Sequence, residues 1–257
     1  MNPPLLSVRG LGKDYGNGNG CFGVDFELYA GEVLCVVGES GSGKSTLLAA
    51  LAGKLAADAG SARFRDRDGR EHELTAIAES ERRRLARSEW GFVSQHARDG
   101  LRMDVSAGAN ISERLMALGQ RHYGQLRQTA GDWLERVEIG RARLDDAPSA
   151  FSGGMQQRLQ IARSLATHPR LVFMDEPTGG LDVSVQARFL DLTRRLVRDS
   201  GIAVIMVTHD LGVARLLAQR TLVMQRGRVV EAGLTDQILD DPQHPYTQLL
   251  VSSILQA

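Results

Sequence analysis

The pattern of apolar and polar positions predicts strands that alternate with helices. Residues 5–11 and 24–28 alternate apolar with polar or small side chains and flank a turn rich in glycine and asparagine, which is typical of paired strands. Continuous apolar runs follow at 33–37, 171–174 and 203–207, as expected of strands that are buried on both faces. Helix-like segments come after these runs, so the chain is predicted to be an α/β protein with a mainly parallel sheet.

The pattern changes between about residue 95 and residue 165. Runs of β-branched residues vanish there, and apolar positions recur at helical spacing over 112–118, 126–137 and 154–165. This stretch is predicted to be a helical segment inserted into the α/β core. The tail is polar and contains prolines, and it ends in a short apolar segment, 249–255, that is predicted to be a helix.

Composition narrows the class of protein further. Hydrophobic residues make up 42% and charged residues 24% of the 257 positions, which are ordinary values for a soluble globular protein. The 31 basic and 31 acidic residues cancel, so no global field attracts nucleic acid, and no nucleic-acid partner is expected. The two cysteines, Cys21 and Cys35, are too few for a disulfide framework. Without a signal peptide or a long apolar run, the protein is expected in the cytoplasm.

The strongest chemical signal follows the apolar run at 33–37. Residues 38–45 match the phosphate-binding loop G-x-x-x-x-G-K-S/T. Its glycines let backbone N–H groups surround a phosphate at the positive end of the next helix. Lys44 is expected to reach the β- and γ-phosphates, and the Ser45 hydroxyl to bind Mg²⁺. The predicted ATP-binding residues of this segment are Gly38, Ser40, Gly41, Gly43, Lys44, Ser45 and Thr46.

A second apolar run ends in two carboxylates, Asp175 and Glu176. Downstream of a P-loop, such a pair is typical of a nucleotide hydrolase. Asp175 is expected to hold Mg²⁺, and Glu176 to polarise the water that attacks the γ-phosphate.

Residues 151–158, Phe-Ser-Gly-Gly-Met-Gln-Gln-Arg, lie shortly before this carboxylate pair. Here the chain resembles the ATP-binding cassette family, whose signature reads L-S-G-G-Q. The resemblance implies that Ser152, Gly153 and Gly154 surround the γ-phosphate that is bound to the P-loop of the other subunit. The resemblance therefore implies a head-to-tail homodimer with two shared sites.

The same resemblance assigns four further residues. Gln95 falls at the loop that senses Mg²⁺ and the attacking water, Asp182 at the D-loop, and His209 at the switch histidine that contacts the γ-phosphate. Tyr15 is placed to stack on adenine. The chain departs from the family at Phe151 and Met155, and at Gly179 and Gly180 in the D-loop. None of these positions supplies a catalytic group, so the departures bear on turnover rate only.

The family implies a P-loop, RecA-like core with an N-terminal antiparallel β-subdomain and an inserted helical subdomain. Residues 1–257 are then a single ATPase domain. Its predicted α/β core with the β-subdomain is 1–94 and 166–235, its helical subdomain is 95–165, and its C-terminal extension is 236–257.

Two narrower resemblances suggest what the ATPase drives. Residues 184–187 and 244–250 resemble the oligopeptide and dipeptide importer ATPases. Residues 99–102, 105–111, 113–117, 121–124, 158–163 and 249–255 resemble an ATPase subunit of the phosphonate carbon–phosphorus lyase system. The second resemblance implies an ATPase that docks on a soluble lyase core in alkylphosphonate breakdown. The alternative is the motor subunit of a peptide-type membrane importer.

The segment just before the helical insert is rich in arginine. Arg82, Arg83, Arg84 and Arg87 fall within six residues. They are either a solvated helix face or an anchoring patch for an acidic partner surface.

Overall fold

The computed structural model describes residues 3–254. Within that range the strands are β1 (Leu6–Gly16), β2 (Asn19–Leu28), β3 (Val33–Val37), β4 (Ala59–Arg65), β5 (Glu71–Glu73), β6 (Trp90–Val93), β7 (Leu171–Asp175), β8 (Ala203–Thr208), β9 (Arg220–Gln225) and β10 (Arg228–Leu234). The helices are α1 (Lys44–Leu51), α2 (Glu79–Ser88), α3 (Ala97–Gly100), α4 (Ala107–Ala117), α5 (Tyr123–Arg136), α6 (Gly153–Leu165), α7 (Val183–Ser200), α8 (Leu211–Leu217), α9 (Thr235–Asp240) and α10 (Pro245–Ile254), with short 3-10 turns at Arg141–Arg143 and Pro148–Ala150.

The chain forms two compact units. The first runs up to Arg82 and resumes at Gly201, and the second is Arg83–Ser200. The boundaries of these two units differ from the predicted subdivision within the domain, because residues 166–200 belong to the unit that contains the helical segment. The predicted division at 94, 165 and 235 stays a prediction.

The first unit contains the predicted antiparallel β-subdomain and part of the α/β core. The subdomain has the strand order β2-β1-β4-β5, and its pairings are antiparallel. In the core, β3 lies parallel to both β8 and β9, while β9 pairs with β10 antiparallel. All five residues of β3 are buried, as the continuous apolar run predicts for a strand covered on both faces.

The second unit contains the parallel pair β6 and β7 and the helices α4, α5 and α6. Buried Ile111, Trp133 and Leu159 contribute to its core. Helix α4 begins five residues before the predicted 112–118, because Ser106 caps it by accepting a hydrogen bond from the N–H of Ala109. The small residues of that first turn give no apolar periodicity.

The C-terminal tail is helical over a longer stretch than the sequence predicts. Helix α10 starts at Pro245, and a proline is well suited to a first helical position. Residue 255, where the predicted helix ends, lies outside the described residues. Within residues 3–254 no helix is long and apolar enough to cross a membrane.

Candidate functional site

The P-loop of the first unit has a backbone that only glycine can adopt at two points. Gly38 has a φ of +150°, and a Cβ there would lie 2.2 Å from the carbonyl oxygen of Met224. Gly43 has a φ of +97°, and its Cβ would lie 2.2 Å from the carbonyl oxygen of Gly20. Both contacts are too short for any side chain, so the loop needs these glycines to fit between its neighbours.

Lys44 opens α1 and folds back over the loop. Its ammonium Nζ donates hydrogen bonds to the carbonyl oxygens of Gly38 at 2.8 Å and Glu39 at 2.7 Å. The residue is only 6% exposed. A buried positive charge is costly unless hydrogen-bonded, and here the loop's own carbonyls supply the partners. The ammonium is therefore held at the loop where the sequence predicts phosphate binding.

His209 lies beside this loop. Strands β3 and β8 are parallel neighbours with Val37 opposite Thr208, so Gly38 and His209 leave the sheet side by side, about 5 Å apart in strand spacing. His209 is exposed. The first unit thus brings together the predicted P-loop and the predicted switch histidine.

Tyr15 lies at the end of β1 and is 58% exposed. Its neighbour Asp14 pairs with Gly20, the residue whose carbonyl oxygen closely approaches Gly43. The β1–β2 hairpin therefore reaches the P-loop, and Tyr15 lies exposed on that hairpin.

The second unit brings together Gln95 and the carboxylate pair. Strands β6 and β7 are parallel with Val93 opposite Met174, so Gln95 and Asp175 emerge from the same end. A Cβ on Gly179 would lie 3.3 Å from Nε2 of Gln95. The N–H of Gly179 donates to the carbonyl oxygen of Glu176 at 2.9 Å. Gln95 thus lies against the turn that follows Glu176.

The backbone of Glu176 is left-handed, with a φ of +42°. This conformation is uncommon for a residue other than glycine. It turns the chain sharply at the end of β7.

The signature residues begin α6. Ser152 is its N-cap, and its hydroxyl accepts a hydrogen bond from the N–H of Met155 at 3.4 Å. A Cβ on Gly153 would meet nothing within 4 Å, whereas one on Gly154 would lie 2.4 Å from Cγ1 of Val185. The signature therefore has an open face at Gly153 and a tightly packed face near Asp182, which is exposed just before α7.

Two buried glutamines of α6 hold the loop that carries Gln95. Gln157 Nε2 donates to the carbonyl oxygen of Gln95 at 2.7 Å, and Gln160 Oε1 accepts from the N–H of Ser94 at 2.7 Å. Both side chains are at most 3% exposed. Sequence reasoning missed this role, because the burial of the two amides is visible only in the structure.

Tyr246 in α10 is a further residue that sequence reasoning missed. It is 6% exposed, and its hydroxyl accepts a hydrogen bond from the N–H of Glu39 in the P-loop at 3.0 Å. Burial raises the pKa of Tyr246 above its ordinary value of 10.0, so the hydroxyl stays protonated at neutral pH.

The predicted Mg²⁺ ligands supply the oxygen donors that this ion prefers. They are a hydroxyl at Ser45, an amide at Gln95 and a carboxylate at Asp175. Among the described residues there is no cluster of three or more histidine, cysteine or acidic side chains suited to a metal. The predicted set needs none, because Mg²⁺ is commonly held by one carboxylate together with substrate phosphates.

A match to known protein families defines the class. The chain belongs to the ABC transporter family, whose model matches residues 21–179, so it is an ABC-type ATPase domain, as the P-loop and signature predict. A model of the oligopeptide/dipeptide transporter C-terminal region matches residues 230–257.

Two relatives of known family membership show which ABC proteins the chain is similar to. The chain is 63% identical over 256 residues to the putative phosphonates utilization ATP-binding protein PhnK of Escherichia coli, and 100% of each chain is covered. It is 36% identical over 256 residues to the oligopeptide transport ATP-binding protein OppD of Bacillus subtilis, covering 97% of this chain and 72% of that protein. Both resemblances predicted from the sequence are confirmed.

Solved structures agree with the predicted fold class. CbiO1 from Clostridium perfringens, part of the ABC transporter complex CbiONQ, matches with a TM-score of 0.81 at 26% identity, covering 93% of this chain and 92% of that one. A dimeric ATP-binding cassette in a post-hydrolysis state, bound to ADP and Pi, matches with a TM-score of 0.78 at 27% identity, covering 90% and 98%.

Proposed function

We propose that this ATPase is the Mg²⁺-dependent, ATP-hydrolysing subunit of a phosphonate-utilisation system, and that it docks as a head-to-tail homodimer on a soluble carbon–phosphorus lyase core in the cytoplasm. The observation that carries the proposal is the 63% identity to PhnK along the whole of both chains. The peptide-import relatives are well below this value at 35–40%.

In the first unit, the P-loop backbone would hold the β-phosphate and Lys44 would exchange its carbonyl partners for phosphate oxygens. Tyr15 would stack on adenine from the adjoining hairpin. His209, exposed beside Gly38, would contact the γ-phosphate. The supporting residues of this pocket would be Ser40, Gly41, Gly43, Ser45 and Thr46.

Glu176, in the second unit, would accept a proton from the attacking water as the water oxygen bonds to the γ-phosphorus and the bond from that phosphorus to the leaving ADP oxygen breaks. The proposed Mg²⁺ ligands are Ser45 of the first unit and Gln95 and Asp175 of the second, and Mg²⁺ when bound would neutralise developing charge on the phosphates. Gln95 would also position the water, and its loop is fixed for that task by Gln157 and Gln160.

The signature residues favour a dimer. Ser152 and Gly153 are exposed at the N-terminus of α6, with open space at Gly153, and the positive end of a helix attracts phosphate. The proposal is that Ser152, Gly153, Gly154 and Asp182 complete the nucleotide site of the partner subunit. The dimeric cassette among the structural relatives supports this arrangement.

The docking face proposed for the lyase core is formed by α4 and α5. Tyr123 is 73% exposed, and Met116 and Leu118 are about 40% exposed. Tyr123 and Met116 line a cavity of about 200 Å³. Exposed aromatic and methionine side chains of this kind are enriched in protein interfaces.

The alternative function is the motor subunit of a peptide-type membrane importer. It is favoured by one specific observation, the match of residues 230–257 to the C-terminal region of oligopeptide/dipeptide transporters.

Affinity capture separates the two functions. Tagged Glu176→Gln protein, which should bind MgATP without turning it over, is captured from soluble and membrane fractions of its source cells, and the co-purifying proteins are identified by mass spectrometry. Recovery of soluble phosphonate-lyase subunits supports the proposal, and loss of that recovery in Tyr123→Asp supports the docking face. Tyr29→Asp, at another exposed tyrosine, is the matched control. Recovery of a multi-span membrane protein instead would overturn the lyase assignment.

The Glu176→Gln variant also tests the proposed dimer. Its mass in solution, measured by light scattering, should double when MgATP is added. A variant that stays monomeric in saturating MgATP would refute the shared-site mechanism.

A further inference from the structure

The C-terminal extension reaches the P-loop through one hydrogen bond. The hydroxyl of Tyr246 accepts from the N–H of Glu39 at 3.0 Å. Tyr246 is only 6% exposed, so water has little access to replace it. This contact joins residues 207 positions apart in the chain, and nothing in the P-loop motif calls for it.

The N–H of Glu39 and the carbonyl of Gly38 belong to the same peptide group. That carbonyl accepts from Nζ of Lys44 at 2.8 Å. One peptide of the P-loop is therefore held at both ends, by Lys44 at its oxygen and by Tyr246 at its nitrogen. Because a peptide group is planar, fixing either end restricts the orientation of the whole group.

The position of Tyr246 is itself set by the rest of the extension. Glu231 in β10 accepts hydrogen bonds from the N–H groups of Gln243 at 2.8 Å and His244 at 3.0 Å. These bonds tie the start of α10 to the sheet, one residue before Pro245. The tyrosine therefore projects from a helix whose first turn is fixed.

The two partners of this peptide differ in what happens to them on nucleotide binding. In the proposed function, Lys44 leaves the Gly38 carbonyl for the phosphates. Tyr246 carries no charge and lies on α10, so it keeps its hydrogen bond. After Lys44 has moved, Tyr246 is the group that restrains the peptide.

From this geometry we infer that Tyr246 is a positioning residue for nucleotide binding, which keeps the Gly38–Glu39 peptide in its binding conformation once Lys44 has turned to the phosphates. This inference rests on the proposed assignment of the P-loop as the nucleotide site. It gives the C-terminal region a role in the ATPase cycle of its own chain.

The test is Tyr246→Phe, which removes one oxygen atom and keeps the buried ring. The matched control is Tyr29→Phe, whose hydroxyl donates to Glu27 at 2.7 Å on the surface, outside the P-loop. Equilibrium dissociation constants for MgADP are measured by calorimetry, and KM and kcat for MgATP by phosphate release. Urea unfolding of each variant, without nucleotide, measures the effect on the fold.

We expect Tyr246→Phe to raise the MgADP dissociation constant and the KM for MgATP about fivefold, the usual effect of one hydrogen bond. The kcat should stay within about twofold of the parent, because the bond does not touch the reacting atoms. Without nucleotide, the urea midpoint of Tyr246→Phe should fall below that of Tyr29→Phe, because the part-buried N–H of Glu39 loses its acceptor, but the variant should stay folded in the absence of urea.

Three results would overturn the inference. They are unchanged nucleotide affinity in Tyr246→Phe, a loss confined to kcat, and a loss of affinity in a Tyr246→Phe protein that is already partly unfolded without urea. Lys44→Ala separates this failure from failure of the proposed site. If Lys44→Ala binds MgADP as tightly as the parent, the P-loop assignment itself is wrong.

Discussion

Replacing Gln160 with leucine should destabilise the second unit, because it removes the hydrogen bonds that hold the loop carrying Gln95. Gln160 is 1% exposed, and its amide makes three hydrogen bonds. Oε1 accepts from the N–H of Ser94 at 2.7 Å, while Nε2 donates to the carbonyl oxygen of Ser94 at 3.2 Å and to Oε1 of Gln157 at 2.9 Å. Leucine has a similar volume, so the change removes polar partners with little change in packing.

The cost follows from the groups left behind. A partly buried N–H without a partner costs about 1–3 kcal/mol, and the Oε1 of Gln157 also loses its donor. Part of this is offset because Gln157 still donates to the carbonyl of Ser94 and because leucine is the more hydrophobic side chain. The free energy of unfolding of Gln160→Leu should therefore fall by about 2 kcal/mol.

Urea denaturation followed by circular dichroism measures this difference. Gln128→Leu, at an exposed glutamine of α5, is the matched control and should change the free energy of unfolding by less than about 0.5 kcal/mol. If the two variants unfold at the same urea concentration with equal slopes, the hydrogen bonds of Gln160 contribute no stability and the reasoning fails.

Three further variants test single contacts. Gly154→Ala should lower the free energy of unfolding, measured in urea, by about 1–3 kcal/mol, because the added Cβ would lie 2.4 Å from Val185. Adding Val185→Ala should restore most of the lost stability, and no recovery would contradict the contact. Gly38→Ala should abolish MgADP binding in calorimetry, since its Cβ would lie 2.2 Å from the carbonyl of Met224; normal binding would refute this loop geometry. Burial alone would raise the pKa of Glu231, but hydrogen bonds at the start of α10 lower it below 4.5. The ionised form of Glu231 therefore stabilises the fold above that pH. The stabilisation disappears as the pH falls through the pKa of the folded state. Glu231→Gln should accordingly be less stable than the parent at neutral pH, with urea midpoints that converge below pH 4.5; a constant difference would contradict the assignment.

The fold class, and the strand ends and helix starts on which the candidate site residues lie, could be predicted because both depend on local sequence. The apolar run of β3, followed by glycines and Lys44, carries its own structural context. The same holds for the run before Asp175 and for the signature at Ser152. In each case one strand end or one helix start determines where the side chain lies.

The starts of several helices could not be predicted in this way. Helix α4 begins with small residues, and its first turn depends on the Ser106 cap. Buried Asn110 supports the same turn by donating from Nδ2 to the carbonyl oxygens of Arg102 and Val105. An asparagine among alanines gives no periodic signal, so the prediction began only where apolar spacing did.

The residues that hold the loops in place could not be predicted either, for a more general reason. Gln160 and Tyr246 act on the N–H groups of Ser94 and Glu39, and a backbone N–H is the same whichever residue carries it. Any side chain with an acceptor at the right place could serve, so no residue type marks the loop end of such a contact. Motif matching therefore finds the candidate phosphate-binding residues and misses the residues that hold the loops in place. If a relative has phenylalanine at the position of Tyr246, the amide of its residue 39 still needs an acceptor, and we expect another side chain or an ordered water to fill that place.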